Sequence, residues 1–141
     1  MKVLVDTCVW SLALRRRAGS RATAAEEQAV SALREAIKDR RAAILGPIRQ
    51  EILSGIRDKA QFAKIEERLE PFRDEEIQGA DYVEAARIFN LCRAQGVECG
   101  PVDTLVLAVA VRLGFSILTE DKGLRRCIDL LQEQGLLREV L

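Results

Sequence analysis

The chain has 141 residues, with 22 basic and 22 acidic side chains and no histidine. That length suffices for one domain with its own core, and the balanced charge supplies no global attraction for nucleic acid, so any basic surface must be local. The absence of histidine excludes Ser-His-Asp and Cys-His triads, histidine acid–base catalysis and histidine-containing zinc sites; hydrolytic chemistry would have to rest on carboxylates.

Lys2-Val3-Leu4-Val5-Asp6-Thr7 opens the chain as a short aliphatic run between polar ends. It reads as a strand buried on both faces, in the middle of a parallel sheet, with Asp6 where the strand emerges. Val9 to Leu14 reads as a short helix leading into a basic stretch, Arg15-Arg16-Arg17 with Arg21. Residues 24–41 form an amphipathic helix with Ala29, Leu33, Ala36 and Ile37 on one face. Ala42 to Leu45 is a second short strand, stopped by Gly46-Pro47. Pro47 opens a helix through Ser54, closed by Gly55. Another helix, about Ala60 to Leu69, carries Phe62, Ile65 and Leu69 and stops at Pro71; Glu75-Glu76-Ile77 is a candidate third strand. Asp81 marks the N-cap region of a helix to Gln95, with Val83, Ala86, Ile88 and Leu91 apolar and Gly96 as its stop.

Pro101 to Leu113 is a helix apolar enough to lie centrally. After Gly114, Phe115 to Thr119 is a buried strand ending in Glu120-Asp121; Leu124 to Gln134 is helical, and Leu136 to Val140 is a candidate edge strand. Alternating strands and helices, without repeats or a dividing linker, predict one α/β domain over residues 1–141: a three-layer α/β/α sandwich with a mostly parallel sheet. No apolar run approaches the ~20 residues of a membrane span, and the N-terminus does not resemble a signal peptide, so a cytoplasmic protein is expected. Cys8, Cys92, Cys99 and Cys127 lack a C-x-x-C pairing and read as reduced thiols, buried in the core.

Most of the acids belong on the solvated surface, but four stand at strand ends or beside apolar segments. Asp6 and Asp121 follow buried strands, Asp103 lies in the first turn of the apolar helix, and Glu51 lies between Ile48 and Ile52-Leu53. Singly, each has a plain reading: a helix cap for Asp6 or Asp121, a match to the helix dipole for Asp103, an exposed position for Glu51. Together they exceed what capping requires. Four converging carboxylates repel unless a cation neutralises them, and oxygen-only ligation suits Mg²⁺ or Mn²⁺ and phosphodiester hydrolysis. The hydroxyls of Thr7 and Thr119 stand beside the acids and can hold a carboxylate in place.

In this order, Val3-Leu4-Val5-Asp6-Thr7, Gln50-Glu51-Ile52-Leu53-Ser54-Gly55, Val102-Asp103-Thr104-Leu105-Val106-Leu107-Ala108 and Ile117-Leu118-Thr119-Glu120-Asp121-Lys122 resemble the PIN-domain ribonucleases, more narrowly the VapC toxins of toxin–antitoxin pairs. The resemblance spans essentially the whole chain, including the stretch between Glu51 and Asp81 that forms a projecting clip in such proteins. It implies metal binding by Asp6, Glu51, Asp103 and Asp121 with Thr119 in support, Mg²⁺ or Mn²⁺ dependence, and cleavage of structured RNA such as tRNA or rRNA. It also implies a homodimer inhibited by a small VapB-type antitoxin, which commonly pushes a side chain or tail into the acidic cleft. Cys8 departs from the Ser or Asn frequent at its position, which puts in question a hydrogen bond near Asp6. Arg15, Arg16, Arg17 and Arg21 either grip RNA phosphates or form a solvated loop. Trp10 is expected in the core or a dimer interface rather than as a base-stacking platform.

A haloacid-dehalogenase-type phosphatase needs a second Asp where Cys8 stands. A receiver domain needs an acidic pair at the first strand and a phospho-accepting Asp after a middle strand, where Leu45-Gly46-Pro47 supplies none. The remaining alternative keeps the fold without the chemistry: a catalytically silent PIN-like module that binds RNA or protein.

Overall fold

The computed structural model describes residues 1–15 and 21–137. β1 (Val3–Val5) leads into α1 (Thr7–Arg15), then α2 (Ala24–Lys38) and β2 (Ala42–Leu45). There follow α3 (Gly46–Leu53), α4 (Lys59–Leu69), the two-residue β3 (Asp74–Glu75), α5 (Gly79–Ala94), α6 (Pro101–Leu113), β4 (Ser116–Leu118) and α7 (Lys122–Glu133). The strands lie in the order β3-β2-β1-β4, every neighbouring pair parallel. Leu4 sits opposite Ala43 on one side and Ile117 on the other. Val3, Leu4, Val5, Ile44 and Ile117 are wholly buried, as the unbroken aliphatic runs of a doubly covered sheet require. The expected α/β architecture with a parallel sheet flanked by helices is what the chain adopts.

The connections β1→β2→β3 run one way across the sheet, and the chain then crosses back to β4. Right-handed crossovers put helices on opposite faces when the direction reverses. In keeping with this, α1 packs against α2 and α3, α3 against α4, and α5 against α6. The reversal also places a crevice at the carboxyl ends of β1 and β4, where ligands bind in open α/β sheets.

Some boundaries differ from expectation. α2 ends at Lys38 because Arg40 takes φ 58° and the chain turns back, with Arg41 N–H donating to the Ala36 carbonyl. β3 is Asp74–Glu75 rather than 75–77, fixed by pairing with Ile44 and Leu45. In α5 the buried positions are Asp81, Ala85, Ile88 and Cys92, while Val83 and Ala86 face solvent. Asp81 lies inside that helix; the N-cap is Gln78, whose N–H donates to Asp81 Oδ2 at 2.8 Å. Leu136 and Leu137 are not in a strand, and the rest of the expected edge strand, like Arg16 and Arg17, lies outside the described residues. Trp10 is core, 1 % exposed, edge-on to Phe72 with ring centroids 4.9 Å apart. Among the described residues, no helix is long and apolar enough to cross a membrane.

Candidate active site

Asp6 is held at the C-terminal end of β1 with 5 % exposure, and three donors fix its carboxylate. Thr7 N–H donates to Oδ1 at 2.8 Å, and Thr119 Oγ1 and Cys8 Sγ donate to Oδ2 at 2.8 and 3.3 Å. The Thr119 hydroxyl accepts from Asp121 N–H at 3.0 Å, so its own proton is directed at Asp6. Thr119 is fully buried just beyond β4, and its carbonyl accepts from Arg125 at 2.7 Å. A single buried hydroxyl thus links the ends of β1 and β4. The hydrogen bond that Cys8 put in question is present as a longer thiol contact. Burial and then the Asp6 charge push the Cys8 thiol up to about 11, so it stays a protonated donor.

Glu51, exposed on α3, is joined to the same corner by Thr7, whose Oγ1 donates to Glu51 Oε1 at 2.9 Å. Asp121 is exposed and caps α7, accepting from Leu124 N–H at 2.8 Å. The capping role expected of a strand-end Asp is therefore real, and it coexists with a place beside the other acids. Asp103, half-buried in the first turn of α6, registers all of them. Burial, then the charges of Asp6, Asp121 and Glu51, raise its carboxyl from 3.8 to about 6, against the opposing hydrogen bond from the Gly100 backbone. Four carboxylates on four different elements share one electrostatic environment.

Among the described residues, no three histidine, cysteine, aspartate or glutamate side chains are close enough to cage an ion as they stand. The chemistry of the donor set still suits a hard divalent cation: every acid offers oxygen, and a proton on Asp103 is what relieves the repulsion without one. Beside the acids, between α1 and the start of α2, opens a cavity of about 960 Å³. Arg15, Arg21 and Lys122 supply cations to its wall, Leu12 and Val30 apolar surface, and Glu120 and Asp121 the side toward the acids. Neither Lys122 nor Arg125 is assigned a role by the sequence pattern. Their signal was position: the first turn of a helix that follows a strand-end Asp can fold back over the strand end.

The family model of the PIN domain matches residues 3–129 of the chain. No curated protein matches it. Among solved structures, the crystal structure of FitAcB from Neisseria gonorrhoeae is similar, with a TM-score of 0.68 at 20 % identity, covering 90 % of this chain and 93 % of that one.

Proposed function

This chain belongs to the PIN domain family, and on that premise we propose that it is a divalent-metal-dependent endoribonuclease and the toxin of a toxin–antitoxin pair. The observation that carries the nuclease reading is the environment of Asp103, whose carboxyl is raised to about 6 by burial and by the other three acids. Asp6, Glu51, Asp103 and Asp121 would hold Mg²⁺ or Mn²⁺, which supplies a Lewis acid for a phosphoryl oxygen and promotes ionisation of an attacking water. Asp6 is the fixed member of the set, oriented by Thr7, Thr119 and Cys8. Asp103 must lose its proton for the set to act as four anions. Arg15, Arg21 and Lys122 bind phosphates on either side of the scissile bond from the adjoining cavity.

The toxin assignment, a VapB-type antitoxin partner and a tRNA or rRNA target rest on the resemblance of the quoted motifs to VapC proteins. A homodimer belongs to the same reading, and Tyr82, Val83 and Phe89, exposed on α5, offer it an apolar surface.

The test is cleavage of labelled RNA by the purified, partner-free chain with Mg²⁺ or Mn²⁺, beside Asp6→Asn and EDTA controls. Wild-type protein should cleave and both controls should not. Cleavage that survives either control overturns the metal–carboxylate mechanism; no cleavage, with no metal bound, favours the silent binding module.

A further inference from the structure

Cys127 neighbours two other free thiols, Cys92 and Cys99, close to the charges of Asp103 and Asp121. Cys92 lies near the end of α5, Cys99 in the connector between α5 and α6, and Cys127 within α7. All are free thiols; Cys92 and Cys127 are fully buried and Cys99 is 6 % exposed. The Cys127 thiol donates to the carbonyl of Glu98, the residue before Cys99, at 3.8 Å. The same carbonyl lies 3.9 Å from where a side chain on Gly123 would begin, so connector and helix run against each other. From this position Cys127 is within hydrogen-bonding reach of both Cys99 and Cys92. Cys99 also lines a cavity of about 630 Å³ with Phe89, Arg93, Val97 and Gly100, which gives a small oxidant a way in.

Core packing alone would be met by any small apolar side chains here. A thiol with two others beside it, one of them bordering an opening, has a chemistry those would lack. The contact between Cys99 and Cys127 lowers the Cys127 thiol and raises the Cys99 thiol, so Cys127 is the better nucleophile of the two. Cys99 is the partner able to move, because it sits in irregular chain; Cys92 and Cys127 both sit in helices.

We propose that Cys99 and Cys127 are an oxidisable thiol pair, and that the disulfide formed between them by peroxide switches off the acidic site. One thiol attacks peroxide oxygen, breaking the O–O bond and leaving a sulfenic acid and one water. The other thiol attacks that sulfur, forming the S–S bond and releasing a second water. The two sulfurs are oxidised by two electrons in all, and the peroxide is reduced by the same two. The bond draws the connector that leads into Asp103 against the helix capped by Asp121, displacing one acid relative to the other. This second half rests on the nuclease reading; the thiol chemistry does not.

The test treats the reduced full chain with hydrogen peroxide, maps disulfides by mass spectrometry and measures Mn²⁺-dependent RNA cleavage on the same samples. A Cys99–Cys127 peptide, lighter by two hydrogens, should appear in wild type and Cys92→Ala, vanish with dithiothreitol and be absent from Cys99→Ser. Because displacements of about 1 Å cost roughly a hundredfold in rate, cleavage should fall by about that factor on oxidation and return on reduction, while Cys99→Ser keeps its activity through the treatment. Thiols that stay free, pass only to sulfinic or sulfonic acids, or join Cys92 to Cys127 overturn the pair. A Cys99–Cys127 bond with unchanged cleavage overturns the switch. The bond formed in a chain inactive even when reduced supports the pair and overturns the nuclease reading instead.

Discussion

Replacing Asp103 by Asn removes the charge that the other three acids oppose, and the effect on stability should depend on pH in a defined way. The folded-state value of about 6 lies above the ordinary 3.8, because burial and then Asp6, Asp121 and Glu51 disfavour the anion. The folded chain therefore holds this proton more tightly than the unfolded chain does. The stabilisation from protonation is complete below about 3.8 and is lost as pH rises through about 6. A difference of that size corresponds to at most about 3 kcal/mol. Asp103 is only half-buried, so solvent screening lowers the expected effect to about 1–2 kcal/mol. In urea denaturation with EDTA, Asp103→Asn should exceed wild type by that amount at pH 7.5 and lose most of the advantage by pH 4. Saturating Mg²⁺ should reverse the order at pH 7.5, since a ligand at a hundred times its Kd adds about 2.7 kcal/mol to the protein that binds it. A variant no more stable at pH 7.5, or equally favoured at both pH values, would refute the charge repulsion on which the site is argued.

Three further outcomes follow from the same geometry. The proposed mechanism uses water as the nucleophile, so RNA products should carry 5′-phosphate and 3′-hydroxyl ends; 2′,3′-cyclic phosphates in the product analysis would mean that the RNA's own 2′-hydroxyl attacks. Thr119→Val removes the donor to Asp6 and the acceptor for Asp121 N–H, and should weaken Mn²⁺ binding by roughly tenfold to a hundredfold in calorimetric titration; unchanged affinity would remove Thr119 from the site. Arg112→Met leaves Asp81, 2 % exposed, without its two-pronged partner at 2.8 and 2.9 Å, and should cost about 3 kcal/mol in urea denaturation at neutral pH. Arg112 holds the Asp81 carboxyl below its usual range, so this contribution is present above the unfolded-state value and lost as pH falls through the folded one. A loss that persists undiminished below that point would show the pair is not its source.

The parts of the fold that could be read from the sequence are those specified locally. Gly46-Pro47 and Gly114 bound β2 and α6 because a proline and a glycine with φ 70° act on their own neighbours. Elements specified by distant partners could not be read this way. β3 has two residues, too few for any alternation, and is set by its pairing with β2 and by ion pairs from Lys2 to Glu75 and from Arg49 to Asp74. Asp81 carries every local sign of an N-cap. Its burial becomes intelligible only with Arg112, 31 residues further on, which binds both its oxygens and the Glu76 carbonyl.

The same division runs through the acidic site. That Asp6 and Asp121 each end a buried strand follows from two aliphatic runs; that the strands are neighbours is shown by the pairing of Leu4 with Ile117. Their inequality does not follow. Asp6 is buried and fixed by three donors, whereas Glu51 and Asp121 are exposed and Asp103 is half-buried. Four rigid, buried carboxylates would make the cation-free chain pay the full repulsion while it folds. With one acid fixed and two in solvent, water screens much of that charge until an ion is bound. An arrangement too open to cage an ion as it stands is therefore what a foldable four-acid site requires, and the raised carboxyl of Asp103 reflects its own burial first and then the repulsion that remains.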